Sequence, residues 1–296
     1  MDWNPPLQVP LQQVLNATSE EASSSQHYIL SGSFRSLSLF LLVFSPLHRT
    51  LDLVQTIKAF GPHQYIGLGP RIGSTDGPLE RYVYTTSWAT PPQLQSWAIE
   101  RQPDGMRVRW VDSIGISATS SYIAVPPPYS HIYSAGGPAA QVHALSPDSA
   151  RGFGAHVQEV LFVKEDEWDT ADKTRKALRY GSHGIEFAFP VDAPSLAFIP
   201  VLGTSTIEIY ARAPDGSLVD LESSPAPRRA SDVPEEDGPR HVKVHPNGKV
   251  LYCVTEHSKI IIPTSQYPRP LSFPQQTIWM STPSARQSAV NIHRRS

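Results

Sequence analysis

Cysteine is nearly missing from this chain: Cys253 stands alone among 296 residues, so no intrachain disulfide framework exists. Charge of one sign is missing too. Against 25 Lys and Arg stand 27 Asp and Glu, a net charge of −2, which lacks the basic footprint of a nucleic-acid binder. The longest apolar run, Leu37 to Leu47, contains two serines and a proline and falls well short of the ~20 residues that cross a bilayer. The opening Met1-Asp2-Trp3-Asn4-Pro5-Pro6 lacks the basic-then-apolar order of a signal peptide. Without secretion the sequon Asn16-Ala17-Thr18 is a chance match. The expectation is a cytoplasmic protein with no membrane and no nucleic-acid partner. Helical periodicity is also scarce. Proline is the residue in excess, 29 of 296, about twice its average usage of roughly 5%. It breaks helices by removing a donor and clashing with the preceding turn, so a helical bundle is excluded.

What remains is strand-like, and it repeats. Tyr28-Ile29-Leu30-Ser31, Tyr82-Val83-Tyr84-Thr85, His131-Ile132-Tyr133-Ser134, Leu196-Ala197-Phe198-Ile199 and Val250-Leu251-Tyr252-Cys253 recur at steps of 54, 49, 65 and 54 residues. The long step holds a charged insert, Lys164 to Arg179, expected to be a surface loop or short helix. Each quartet has the same neighbours. An apolar strand ending in proline precedes it, as in Tyr122 to Pro126, Ile185 to Pro190 and Val242 to Pro246. Another strand follows, as in Gln93 to Glu100, Gln141 to Leu145 and Thr206 to Arg212. A further one comes after a Pro-Asp-Gly turn, Met106 to Ile114 and Ser217 to Glu222. Four strands per unit of about fifty residues is the pattern of a β-propeller blade. An irregular all-β sandwich would also have short strands, but not this recurring internal order. The fold class is all-β, a propeller of four-stranded blades with about five blades recognisable.

In a blade the first strand lines the channel and adjacent strands are antiparallel, so the start of strand one and the end of strand two share a rim. His183 opens one first strand, Arg240 opens the next, and Glu256 ends the second strand of Arg240's blade. Together they put an imidazole, a guanidinium and a carboxylate at one mouth of the channel, where a concave ring of loop ends can hold a small ligand. Plainer readings stand beside this. His183 before a glycine reads as a turn residue, Arg240 as the surface partner of Glu235-Glu236-Asp237, and Glu256 as a strand end in water. His241 and His245 stand four strand residues apart, ~13 Å, too far to share a metal ion readily. Glu165-Asp166-Glu167 lacks the oxygen-ligand pattern of a calcium loop.

The segments His183-Gly184-Ile185-Glu186-Phe187, Gly238-Pro239-Arg240-His241-Val242-Lys243-Val244-His245-Pro246-Asn247-Gly248-Lys249 and Leu251-Tyr252-Cys253-Val254-Thr255-Glu256-His257 resemble the fungal 3-carboxy-cis,cis-muconate cyclases. These are seven-bladed propellers of the wider lactonase-type superfamily that includes 6-phosphogluconolactonase. The resemblance runs from about Gln26 to about Ile262. The Pro-Arg and His-Pro-x-Gly-Lys elements are common to the superfamily. The sixteen-residue step from Arg240 to Glu256, with His183 upstream, resembles the cyclases specifically. The resemblance implies closure of a small polycarboxylate diene into a lactone in protocatechuate catabolism, without metal or organic cofactor. It implies His183, Glu256 and Arg240 as catalytic residues, Arg240 and His241 as substrate-binding residues, and a proton donor that is either His183 or Glu256. A sugar-phosphate lactonase would need a cationic cluster, for which Lys243 and Lys249 are the candidates.

The expected layout is an N-terminal extension over residues 1–25, an incomplete propeller over 26–262 and an unstructured or aberrant tail over 263–296. A seven-bladed ring at ~50 residues per blade asks for about 350. An unclosed ring would expose an edge strand, favouring a homo-oligomer, and would leave an inactive remnant or interaction scaffold as the competing function.

Overall fold

The computed structural model describes residues 26–72, 80–147, 151–190, 194–225, 238–257, 260–264 and 280–281. They form five antiparallel sheets in chain order. The first holds β1 (His27–Ser31), β2 (Ser38–Ser45) and β3 (Thr50–Lys58). The second runs β4 (Ile66–Ile72), β5 (Glu80–Ser87), β6 (Gln93–Gln102) and β7 (Gly105–Gly115), and the third β8 (Ser120–Ala124), β9 (His131–Gly136), β10 (Ala139–Leu145) and β11 (Phe153–Leu161). The fourth holds β12 (Glu186–Ala188), β13 (Leu196–Val201), β14 (Thr206–Arg212) and β15 (Leu218–Pro225), and the fifth β16 (Pro239–Val244), β17 (Leu251–Thr255), β18 (Ile260–Thr264) and β19 (Met280–Ser281). The chain is a β-propeller, and four of the five quartets found in the sequence fall on the second strand of their sheet. The first falls on β1, the edge strand of a three-stranded sheet whose β3 lies against the outermost strand β7 as β7 lies against β11.

The blades stack through apolar faces. Leu39, Leu41 and Ile57 of the first meet Val83, Trp97 and Val108 of the second. Tyr82, Tyr84 and Leu94 of the second meet Ile123 and Ile132 of the third. Tyr133 and Val142 of the third meet Ile185, Ala197 and Ile199, and Phe198 and Ile209 of the fourth meet Val242, Leu251 and Cys253 of the fifth. Middle strands are covered on both faces, so β6 reads as a run of buried residues from Leu94 to Ala98. The outer hairpins close on the turns expected from Pro-Asp-Gly. Asp215 accepts from the Ser217 backbone at 3.0 Å, and Gly216 takes φ +87°.

Two expectations change. The segment beyond Ile262 does contribute, because β18 runs on to Thr264 and pairs with Met280–Ser281, completing the fourth strand of the fifth sheet. Composition alone could not show this, since an outermost strand needs little apolar pattern. The strand expected to open at His183 begins its regular pairing at Glu186. Ser182 pairs across to Val201, and then its hydroxyl bonds the Gly184 backbone, a local turn that competes with the ladder. The extension expected over residues 1–25 lies outside the described residues. Among the described residues no helix is long and apolar enough to cross a membrane.

Candidate functional site

One backbone bond recurs in four blades and fixes the mouth. The residue after the second strand donates to the loop before the first: Trp88 to Pro62 at 2.8 Å, Gly137 to Thr119 at 2.9 Å, Leu202 to Gly181 at 3.0 Å and Glu256 to Gly238 at 2.8 Å. Two residues beyond each acceptor stand Gln64, Ser121, His183 and Arg240, so these four occupy one equivalent position in successive blades. In the third and fifth sheets that position is a bulge. Ladder pairing skips Ser121 and skips Arg240, which re-aims the bulged side chain while the strand continues. Gly238 enters the fifth copy at φ +60°, a conformation that suits glycine.

The structure brings the expected residues together. Arg240 Nη1 donates to Glu256 Oε2, forming an ion pair whose side chains are 32% and 42% exposed. The Glu235-Glu236-Asp237 run lies outside the described residues. His183 is buried. Its Nε2–H donates to the Leu178 carbonyl at 2.8 Å, which leaves the Nδ1 lone pair facing Gln64 Nε2 at 3.5 Å. His241 Nδ1–H donates to the His183 carbonyl at 2.7 Å, so its Nε2 is the acceptor. Burial and then the Arg240 charge push the His183 pKa down to about 4, and the same two causes in the same order lower that of His241. Both rings are neutral near pH 7.

Further down the channel, Tyr65 and Tyr122 lie with ring centres 4.1 Å apart, and Tyr122 is 6.2 Å from the His241 ring. Burial raises both phenol pKa values. Lys243 Nζ pairs with Glu186 Oε2 at 2.7 Å, so this lysine is already engaged. A cavity of about 660 Å³ lies outside this cluster, against the insert and lined by Phe162, Lys176 and Tyr180. Gln64, Ser121, Tyr65 and Tyr122 were not expected from the sequence. The signal was there: Gln64, Ser121, His183 and Arg240 stand 57, 62 and 57 residues apart, the period of the quartets.

His183 sets a pH dependence. Its folded pKa of about 4 lies below the ordinary 6.5, so between those values the unfolded chain binds the extra proton. Stability is full above pH 6.5 and falls as pH drops toward 4. His143, buried against His156 and also pushed to about 4, acts in the same sense. Melting temperature measured from pH 7.5 down to 4.5 is expected to decline. His183→Gln should flatten that decline, and an unchanged slope would contradict the assignment.

The chain is similar to lactonase-type propellers, as the resemblance read from its sequence implies. The family model described as "Lactonase, 7-bladed beta-propeller" matches residues 188–293. The chain is similar to muconate cycloisomerase 1 of Cutaneotrichosporon cutaneum, 27% identical over 236 residues, which cover 79% of this chain and 58% of that protein. The chain thus spans a little over half the length of that relative. Among solved structures it is similar to a putative 6-phosphogluconolactonase from Bacteroides uniformis, with TM-score 0.58 and 20% identity over 86% of this chain and 68% of that one. It is also similar to a Pseudomonas aeruginosa periplasmic gluconolactonase, with TM-score 0.58 and 14% identity over 89% and 70%. These structures share the fold.

Proposed function

We propose that the mouth lactonises a small polycarboxylate diene of the 3-carboxy-cis,cis-muconate type, as a cofactor-independent cycloisomerase. The observation that carries this is the Arg240–Glu256 pair at the blade position that also presents His183. Cyclisation joins a substrate carboxylate oxygen to one carbon of a conjugated double bond and adds a proton to its neighbour, consuming one proton per turnover. Arg240 offers a planar fork for a carboxylate. An incoming carboxylate competes with Glu256 for that fork. Released from its cation, Glu256 is the carboxyl placed to take a proton from solvent and deliver it to carbon. His183 is the poorer donor, because its only N–H is held by the Leu178 carbonyl. It orders the mouth, with its lone pair toward Gln64. His241 sits beside Arg240 as a neutral wall of the substrate site.

A sugar-phosphate lactonase reading, which the names of the structural neighbours raise, asks for a free cationic cluster. Lys243 is bound to Glu186, which favours cyclisation. The test is loss of the ultraviolet absorbance of the conjugated muconate on mixing with folded protein. A cooperatively melting protein that leaves the spectrum unchanged would defeat the proposal in favour of a non-catalytic scaffold.

A further inference from the structure

The charged insert is a strap that touches three blades at the mouth. The Lys173 carbonyl accepts from Thr119 N at 3.0 Å in the third blade. The Leu178 carbonyl accepts from His183 in the fourth. Arg175 lies with its guanidinium carbon 5.3 Å from the ring centre of Trp88 in the second. That indole is fixed in place: its backbone N–H is on Pro62 and its ring N–H donates to the Ser120 carbonyl at 3.0 Å, next to the mouth residue Ser121. Phe34 of the first blade packs on the same ring at 5.5 Å.

We propose that Arg175 is a second carboxylate-binding residue of the mouth, held over Trp88, which occupies in the second blade the position that Glu256 occupies in the fifth. This rests on the polycarboxylate reading above and narrows it to acids with carboxylates at both ends. A guanidinium seated over an aromatic plate keeps its N–H edge free for a carboxylate. Arg240 already has Glu256, whereas among the described residues no carboxylate forms an ion pair with Arg175. The nearby Asp172 is committed locally, accepting from the Thr174 backbone at 2.8 Å. Gln64 of the second blade reaches His183 of the fourth at 3.5 Å, so the second blade's rim adjoins the site. On this proposal a substrate with one carboxylate on Arg240 places a second on Arg175.

The test uses the full chain and tricarballylate, a saturated tricarboxylate that cannot cyclise, in calorimetric titration alongside muconate turnover. Arg175→Ala is expected to weaken tricarballylate binding about tenfold and raise KM by a similar factor, with kcat within about twofold. Arg175→Met keeps the stem on Trp88 and should show the same loss, which separates charge from packing, and the melting temperature of each variant reports folding. Lys176→Ala removes the same charge one residue along and should leave affinity and KM unchanged. Equal binding by wild type and Arg175→Ala overturns the assignment, as do equal losses in Arg175→Ala and Lys176→Ala. Wild-type protein that neither binds tricarballylate nor turns over muconate overturns the polycarboxylate reading itself, and this inference with it.

Discussion

Replacing Arg240 with leucine is expected to lower kcat/KM for muconate lactonisation by about 10²–10³, the usual cost of removing a charged group that stabilises developing charge. The effect should be large because two contacts end together: the proposed substrate carboxylate loses its fork, and Glu256 loses its ion-pair partner. The fold should hardly notice. Both side chains are substantially exposed, and an exposed ion pair contributes at most about 1 kcal/mol, so the melting temperature should move little. Arg240→Lys keeps the charge but not the planar two-point geometry, and should recover only part of the rate. The measurement is the initial rate of diene loss at several substrate concentrations, with thermal melts of the same samples. Wild-type rates in Arg240→Leu would remove the residue from the chemistry. A parallel fall in rate and melting temperature would make it a structural residue.

The Arg240 result also tests what the sequence could and could not reveal. The quartets on β5, β9 and β13 were legible because those strands are buried on both faces, and both-face burial writes an apolar run, whereas the quartet on β1 is largely exposed. His183, Arg240 and Glu256 stood out through the motifs that hold them, although the regular strand begins at Glu186 and not at His183. Gln64 and Ser121 occupy the same blade position but carry uncharged side chains, one before a strand and one at a strand bulge, and only the backbone bond from Trp88 to Pro62 and its counterparts reveals the equivalence. The insert was legible as what it is, a surface segment with short helical turns at Glu165–Glu167 and Arg175–Arg179. What it brings to the mouth was not, because the carbonyls of Lys173 and Leu178 are main chain, and backbone acceptors leave no mark on composition. The stretch after Ile262 was read less well. Its composition suggested no fold, but an outermost strand such as β19 needs only a register partner, which β18 supplies.

The largest effect on stability is expected at Trp97, not at the mouth. Its side chain is fully buried between the first and second blades, among Leu39, Leu41, Ile57, Val83 and Val108, and its indole N–H donates to Thr85 Oγ1 at 3.1 Å. Trp97→Ala removes an aromatic that neighbouring strands cannot collapse to replace, because β5 and β7 hold β6 in register on both sides. The cost should be about 3–5 kcal/mol, a drop in melting temperature of about 10 °C or more at roughly 2–4 °C per kcal/mol for a domain of this size. Trp97→Phe should cost less, since the ring fills part of the space and only the bond to Thr85 is lost. The cavity lies where the first blade docks on the second, so limited proteolysis of Trp97→Ala should cut first in the segment joining them, Ala59 to Tyr65. That segment carries Gln64, the partner of His183, which ties the core to the mouth. Loosening it should raise KM even below the melting transition. A Trp97→Ala protein that melts like wild type would mean that the blade interface is not where the first sheet gets its stability.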